Sequence, residues 1–427
     1  VKSTMKRTHT YKLTRGLLVL MSAALLLAGC GSGQERRAEA AVEKRTYELK
    51  ELDPRIVTAH NRFGLELHRR LAAERPGENL FLSPYSVASA LSLIYHGAEG
   101  ATLSEMSRVL QTQGMPMEEW NRGSRILRDL LQHSGEAVHL NAANSVWTRK
   151  GISLRESFLN RSREDYGAEV RELDFSHRKA AKTMNNWVKN STGGRIQAVV
   201  EDPIPGSTLM YLINAVYFKG RWADPFEKSA TGTKEFYPTA DGPAVSVQMM
   251  RGQGQYPYLQ EMGYQAVRLS YEGGPFHMLL VLPDEGLSLA QVQEKLGADT
   301  EFWRRDMPRR QGTVELPRFK LEGDYTLNEA LKGLGMETAF DPEKAEFTGI
   351  SGSEKVLYLS GARHKTYIRV DEEGTEAAAV TALNMAGSAP PSDGPFHMTV
   401  NRPFLLAIQS SETGSLLFLG SIYKPEE

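Results

Sequence analysis

The chain holds a single cysteine, Cys30, in 427 residues. One thiol closes no disulfide within the chain, and no paired CxxC offers a dithiol centre. Charge of one sign is lacking as well. Lys and Arg number 51 against 52 Asp and Glu, a net charge of −1, so no long-range field draws in nucleic acid or an acidic partner. The motifs of the common catalytic classes are absent: no GxSxG nucleophile elbow, no HExxH and no Walker A loop. The 10 histidines are scattered. His364, inside the strand-like LYLSGARHKTYIRV, is better read as a buried hydrogen-bonded side chain than as a catalytic one. No active site assembles from these residues, and no cofactor or metal is implied.

A long hydrophobic run occurs once, as GLLVLMSAALLLAG at 16–29, which has signal-peptide length and is too short for a membrane span. Lys2, Lys6, Arg7, Lys12 and Arg15 precede it, and Leu27-Ala28-Gly29-Cys30 closes it. Small residues before a cysteine form a bacterial lipoprotein signal, so 1–29 is expected to be removed and Cys30 to carry acyl chains. Residues 30–53 are polar and charged, and are expected to act as a tether between the lipidated Cys30 and a folded body at 54–427. The expected location is the outer face of a bacterial membrane, with release left open.

From Pro54 onward no linker and no low-complexity block interrupts the chain, which favours one domain. RIVTAHNRFGLELHRRLA (55–72) has helical apolar spacing. Residues 79–81 are strand-like, and Ser83-Pro84 caps and opens a helix that is apolar nearly all round. Amphipathic helices are expected at 104–110 and 118–132, the second with Arg122, Arg125 and Arg128 along one solvated face. Residues 178–190 read as another helix. Strands are expected at 139–151 and 208–222; the second is almost wholly apolar and suits a central position covered on both faces. An apolar strand stops at the turn Pro283-Asp284-Glu285-Gly286, alternation marks 312–325, and TLNEALKGLGM forms a helix ending near Gly335. The last 30 residues form a hairpin around Ser-Glu-Thr-Gly. GPFHM occurs twice, at 274 and 394, each time opening a strand; the match is taken as coincidence. The basic cluster Trp303-Arg304-Arg305 with Arg309-Arg310 reads as a solvated helix end or loop. Helices packed on sheets without regular βα alternation make the class α+β.

One stretch resists that plain description. EEGTEAAAV (372–380) joins acids and a glycine to small, strand-compatible residues, and TALNMAGSAPPSDG follows as an exposed, cleavable-looking loop. Strand alternation sets Thr375, Ala377, Ala379, Thr381, Leu383 and Met385 on one face, all small or apolar. No proline appears from 372 to 389, so no ladder donor is missing.

Long motifs in order carry a resemblance across about residues 55–425. NLFLSPYSVASALSLIYHGAEGAT, INAVYFKGRWADPF, LPRFKLEGDYTLNEALKGLGMETAF, AEFTGIS and VNRPFLLAIQSSETGSLLFLGSIYKP resemble the serpins, the serine-protease inhibitors and their non-inhibitory relatives. The resemblance implies three β-sheets, about nine helices and an exposed reactive-centre loop. It implies an inhibitor whose loop is attacked by a serine protease, with a cysteine protease as the other class left open. The cut loop then inserts into the main sheet and traps the acyl-enzyme. By position it implies a hinge at Glu372, Glu373, Gly374, Thr375, Glu376, Ala377, Ala378 and Ala379. It likewise implies a shutter of Ser83, Pro84, Ser86, Asn214 and His364, and Trp222 at the breach where the hinge enters. Hinge-to-bait spacing puts the attacked bond at Ser388–Ala389, with Met385–Ala386 and Gly387–Ser388 as alternatives. Small residues there suit elastase-like or subtilisin-like enzymes. The expected molecule is a monomer that inhibits extracellular proteases; the alternative is a binding module of the same fold, cut as an ordinary substrate.

Overall fold

Asp53 and Pro54 fix the start of the first helix, α1 (Pro54–Glu74): the Asp53 carboxylate accepts from the Arg55 amide, and proline occupies a first-turn position where no donor is lost. Its buried stripe of Ile56, Phe63, Leu67 and Leu71 follows the helical period. The structure is a computed structural model describing residues 45–133, 137–240, 242–299, 301–352, 357–375 and 394–427. Cys30, Glu376, Ala377, Ala378, Ala379, Met385, Ala386, Gly387, Ser388 and Ala389 lie outside the described residues. Residues 45–53, read from sequence as part of the tether, lie against the body. Arg45 pairs with Glu412 at 2.6 Å, the Thr46 and Tyr47 amides donate to Asp129, and Leu52 is buried.

Strand β1 (Leu80–Leu82) leads through Ser83 into α2 (Pro84–Tyr95), every residue of which is buried. The two helices approach so closely that a Cβ on Gly64 would stand 2.2 Å from Cβ of Pro84. Next come α3 (Gly100–Val109), α4 (Met117–Gln132), β2 (Val138–Arg149), α5 (Glu156–Glu164), β3 (Glu169–Leu173), α6 (Ala180–Ser191) and β4 (Met210–Arg221). The middle holds β5 (Gly232–Phe236), β6 (Val245–Glu261), β7 (Tyr264–Ser270), β8 (Phe276–Pro283), α7 (Leu289–Ala298) and β9 (Arg309–Pro317). The last part holds β10 (Phe319–Thr326), α8 (Asn328–Gly333), β11 (Gly361–Asp371), β12 (Gly374–Thr375), β13 (Phe396–Thr399), β14 (Phe404–Ser410) and β15 (Leu416–Ile422).

The expected elements are present within a few residues of their expected ends, and both GPFHM copies open strands, β8 and β13. The sequence did not single out α5, α7, β3, β5, β6 or β7. Among the described residues there are eight α-helices where about nine were expected. The strands form the three expected sheets, two of them joined into one hydrogen-bonded network. The reason is β6: its first part pairs with β5 and β9, while Tyr258–Glu261 pairs with β7, so one long strand serves two sheets. The nine-strand network runs β1-β15-β14-β8-β7-β6-β9-β13, with β5 on β6; the six-strand sheet runs β10-β11-β12-β4-β2-β3.

The main core lies around α2, between one face of the six-strand sheet and β1–β15–β14–β8. Phe81 stacks on Phe418 at 5.0 Å, and Phe218 meets Phe418 edge-on at 6.0 Å. The other face of the six-strand sheet is covered by α6, whose Met184 and Val188 join Trp147, Ile213, Ala215, Tyr217 and Tyr367. A third cluster seats α7 on β7, β8 and β14. Thus β4 is covered on both faces, as its apolar run requires.

Two basic clusters differ from their sequence-based description. The arginines of α4 are held by acids and backbone rather than fully solvated. Arg125 pairs with the buried Asp165 at 2.7 Å, Arg122 lies 3.5 Å from Glu51, and Arg128 donates to the Glu164 carbonyl. Arg305 is tied to Glu261 and Asp299 at 2.5 and 2.8 Å, so the Arg304–Arg310 stretch is not a uniformly solvated loop.

Candidate functional site

The described residues singled out from sequence lie at or beside the seam between β4 and β11. Below, the two strands are directly paired and parallel, from Gly361↔Tyr211 to Tyr367↔Tyr217. Above, they part and admit β12, which pairs antiparallel with both: Val370↔Thr375 and Asp371↔Gly374 on one side, Gly374↔Arg221 and Thr375↔Gly220 on the other.

Buried polar side chains cross the lower seam. Asn214 interrupts the apolar run of β4, and on β11 its paired residue is His364. The Ser83 amide donates to Nε2 of His364 at 3.0 Å, which leaves the proton on Nδ1 to be donated to Oδ1 of Asn214 at 2.6 Å. Nδ2 of Asn214 donates to Oγ of Ser86 at 2.5 Å and to Oδ1 of Asn144 at 2.6 Å. The Ser83 hydroxyl donates to the Leu417 carbonyl while accepting from the Ser86 amide as the cap of α2. Ser83, Ser86, Asn214 and His364 therefore form one network joining α2, β4, β11 and β15. Pro84 contributes no bond to it; it begins α2 and abuts Gly64. Burial lowers the pKa of His364 to about 3, so its ring stays neutral.

The upper seam is held differently. Thr375 is fully buried, and its hydroxyl lies 2.7 Å from that of Tyr271. Gly374 has φ +152°, and a Cβ there would stand 2.2 Å from the Gly220 carbonyl oxygen; only glycine fits so close to β4. Trp222 stacks on Tyr271 at 4.7 Å, donates its indole N–H to the Asp371 carbonyl at 2.9 Å, and donates its amide to the Glu373 carbonyl at 3.0 Å. Glu372 is buried, with its carboxylate gripped by Arg318 through Nε and Nη2 at 2.5–2.9 Å and by the Thr231 hydroxyl at 2.5 Å. Burial works to raise its pKa, but the Arg318 and Thr231 hydrogen bonds outweigh it and leave the carboxyl below its usual range. Glu373 is partly buried and pairs with Lys228 at 2.5 Å.

Tyr271, Arg318, Thr231 and Asn144 were not found from the sequence. Three of them lie about 50–150 residues from the segment they hold, and no local pattern marks them. Asn144 carried a signal: like Asn214, it is a polar residue inside an otherwise strand-like stretch. Among the described residues no group of three or more His, Cys, Asp or Glu is placed to hold a metal.

A family model described as "Serpin (serine protease inhibitor)" matches residues 58–425. The chain is a serpin. An uncharacterized serpin-like protein of Thermococcus kodakarensis is 36% identical over 87% of this chain and 86% of its own length. Human leukocyte elastase inhibitor is 32% identical, with 87% of this serpin and 99% of the relative covered. Among solved structures, human thyroxine-binding globulin complexed with thyroxine superposes with a TM-score of 0.79 at 29% identity, covering 87% of this chain and 99% of that one. This α+β architecture is the serpin fold, and relatives that share it include both an elastase inhibitor and a thyroxine-binding globulin.

Proposed function

We propose that this serpin is a suicide inhibitor of extracellular serine proteases of elastase-like or subtilisin-like preference. The observation that carries the proposal is β12, two residues already seated between strands that are otherwise joined only by parallel pairing. Parallel ladders are slightly weaker per residue than antiparallel ones. An inserting strand would exchange one parallel interface for two antiparallel interfaces. Nine steps along each strand from the β12 pairs bring residue 384 opposite both Gly361 and Tyr211, which pair with each other. Residues 378–384 therefore match the closed part of the seam. At ~1 kcal/mol per ladder hydrogen bond gained, filling it would release on the order of 10 kcal/mol.

In this mechanism the protease serine attacks a carbonyl in the loop, the peptide amine leaves, and an ester joins the two proteins. Glu372, Glu373, Gly374, Thr375, Glu376, Ala377, Ala378 and Ala379 form the hinge, and Trp222 lies at the breach where it enters. Ser83, Pro84, Ser86, Asn214 and His364 form the shutter that parts. In the extended register Thr381 falls between Asn214 and His364, so a hydroxyl would arrive where their hydrogen bond is broken. The attacked bond is Ser388–Ala389, with Met385–Ala386 and Gly387–Ser388 as the alternatives; all lie beyond residue 384. Lipidation at Cys30 after removal of 1–29 would display the inhibitor on the cell surface. The protein needs no catalytic residue of its own.

The second reading, a binding module cut as a plain substrate, is favoured by the likeness to the thyroxine-binding globulin. One experiment separates the two. Mixing the soluble domain with elastase and with subtilisin should give a complex that survives denaturing electrophoresis, and the cleaved form should melt far above the intact one. Cleavage that yields neither leaves the binding-module reading.

A further inference from the structure

Helix α6 and its flanks carry charge of one sign only. Residues 175–200 hold Arg178, Lys179, Lys182, Lys189 and Arg195, and no aspartate or glutamate. All five cations are exposed. Lys182 and Lys189 stand two turns apart on the outer face, opposite the Met184 and Val188 that seat the helix on the six-strand sheet. Arg178 and Lys179 continue the stripe ahead of the first turn. Among the described residues, the side chains of Arg178, Lys179, Lys182 and Lys189 enter no ion pair and no hydrogen bond. The acids that border the segment are engaged elsewhere. Glu169 takes Arg171 and the Trp187 indole N–H, and Glu172 accepts from the Gly151 amide. Asp174 accepts from the Ser176 amide and hydroxyl, and Glu201 faces Arg363 at 3.6 Å.

Cations aligned on one helix face repel one another, and nothing within this segment offsets the repulsion. On a chain of net charge −1 such a stripe does not draw in the molecule as a whole; it turns one face toward an anionic surface. No large apolar side chain is exposed among the cations, so the face can rest on polar headgroups but has nothing to insert below them. We propose that the outer face of α6 docks on anionic phospholipid headgroups and lays the body against the membrane. The choice of a lipid surface over a soluble polyanion rests on the proposed attachment at Cys30. The chain from Cys30 to Arg45 spans at most about 50 Å when extended, which keeps the stripe close to the surface that holds the anchor. Acyl attachment and a cationic patch are together the two signals that stable anchoring takes. The patch itself depends neither on that attachment nor on the inhibitory reading.

Sucrose-loaded vesicles test the proposal on the protein from residue 31 onward, which keeps every described residue and carries no lipid. Vesicles of phosphatidylcholine mixed with phosphatidylglycerol should sediment it at low salt and release it at high salt, because exposed charges are screened. Pure phosphatidylcholine vesicles should leave it in solution. Lys182→Gln combined with Lys189→Gln should lower the partition constant about 30-fold, the equivalent of about 1 kcal/mol for each cation near an anionic surface. Arg62→Gln combined with Arg108→Gln removes the same charge from exposed positions elsewhere and should leave the partition constant close to that of the parent. All four positions are exposed, so both variants should keep the fold. Equal partition of the parent and the α6 variant, or an equal loss in the two variants, overturns the proposal. Binding to dextran sulfate with none to the anionic vesicles also overturns it and assigns the stripe to a soluble polyanion. Mass analysis of the membrane-derived protein reads acylation of Cys30 separately, so the patch and the anchor fail independently.

Discussion

The two ends of the β4–β11 seam are built from different chemistry. The lower end is closed by neutral groups, His364, Asn214, Ser83 and Ser86, whose donors and acceptors satisfy one another out of water. The upper end is pried open by β12 and held by an ion pair, an aromatic stack and a hydroxyl pair. A neutral buried network fails abruptly when one member is lost, because its partners are left unpaired. In the upper ion pair Arg318 is 34% exposed against 3% for Glu372, so water can reach the guanidinium when β12 shifts. The lower seam is thus suited to hold until something enters between its strands, and the upper seam to yield by degrees.

The largest effect that would test this contrast comes from Thr375→Arg. A guanidinium cannot occupy the fully buried Thr375 position without a penalty of at least about 3 kcal/mol. The variant should be cleaved as a substrate with no covalent complex on a denaturing gel. A normal yield of complex would refute insertion through this seam. Next is His364→Ala, which strands the Ser83 amide and Oδ1 of Asn214. Urea unfolding should report a loss of about 3 kcal/mol. A loss no larger than that of an upper-seam variant would erase the difference between the ends.

Acid should separate the ends by pH window. His364 has a folded pKa of about 3 against an ordinary 6.5, so the unfolded chain binds the extra proton between these values. The stability it contributes is full above 6.5 and declines as pH falls, by about 1.4 kcal/mol per unit. Buried His60, His68 and His277 share the direction, with folded values of about 4, 3 and 4. Glu372 is held below its ordinary 4.5, so its contribution is complete above 4.5 and is lost only as pH falls beyond that. Melting temperature should therefore start to fall near pH 6.5, and His364→Gln should flatten that early slope. Glu372→Gln should leave it unchanged. An identical early slope in His364→Gln would remove the shutter from the explanation. The smallest expected effect is Tyr271→Phe, about 1 kcal/mol for one lost hydroxyl contact. Limited proteolysis near residue 375 should become somewhat faster, with little change in global unfolding.

Legibility from sequence followed the range of the forces involved. The α1 and α2 helices were legible from caps and periodicity, and β4 from a run too apolar for anything but a central strand. The long β6 was not legible: Gly252, Gly254 and Pro257 break its pattern, and its length is stabilised by pairing with β5, β7 and β9 at once. Of the candidate site, Ser83, Asn214, His364 and Glu372 were named from sequence. Their partners Asn144, Tyr271, Thr231 and Arg318 were not, because a hydrogen bond across about 50–150 residues leaves no trace in local composition.

By itself the sequence determined which segments could be helix or strand, and that 372–385 is made mostly of small residues. Those properties depend on neighbours within a turn or a strand. Only the tertiary structure decided that β12 sits between β4 and β11 in a register that continues to Gly361 and Tyr211. It alone decided that Glu372 finds Arg318. Each depends on strands and side chains brought together from distant parts of the chain, where pairing and desolvation act through space.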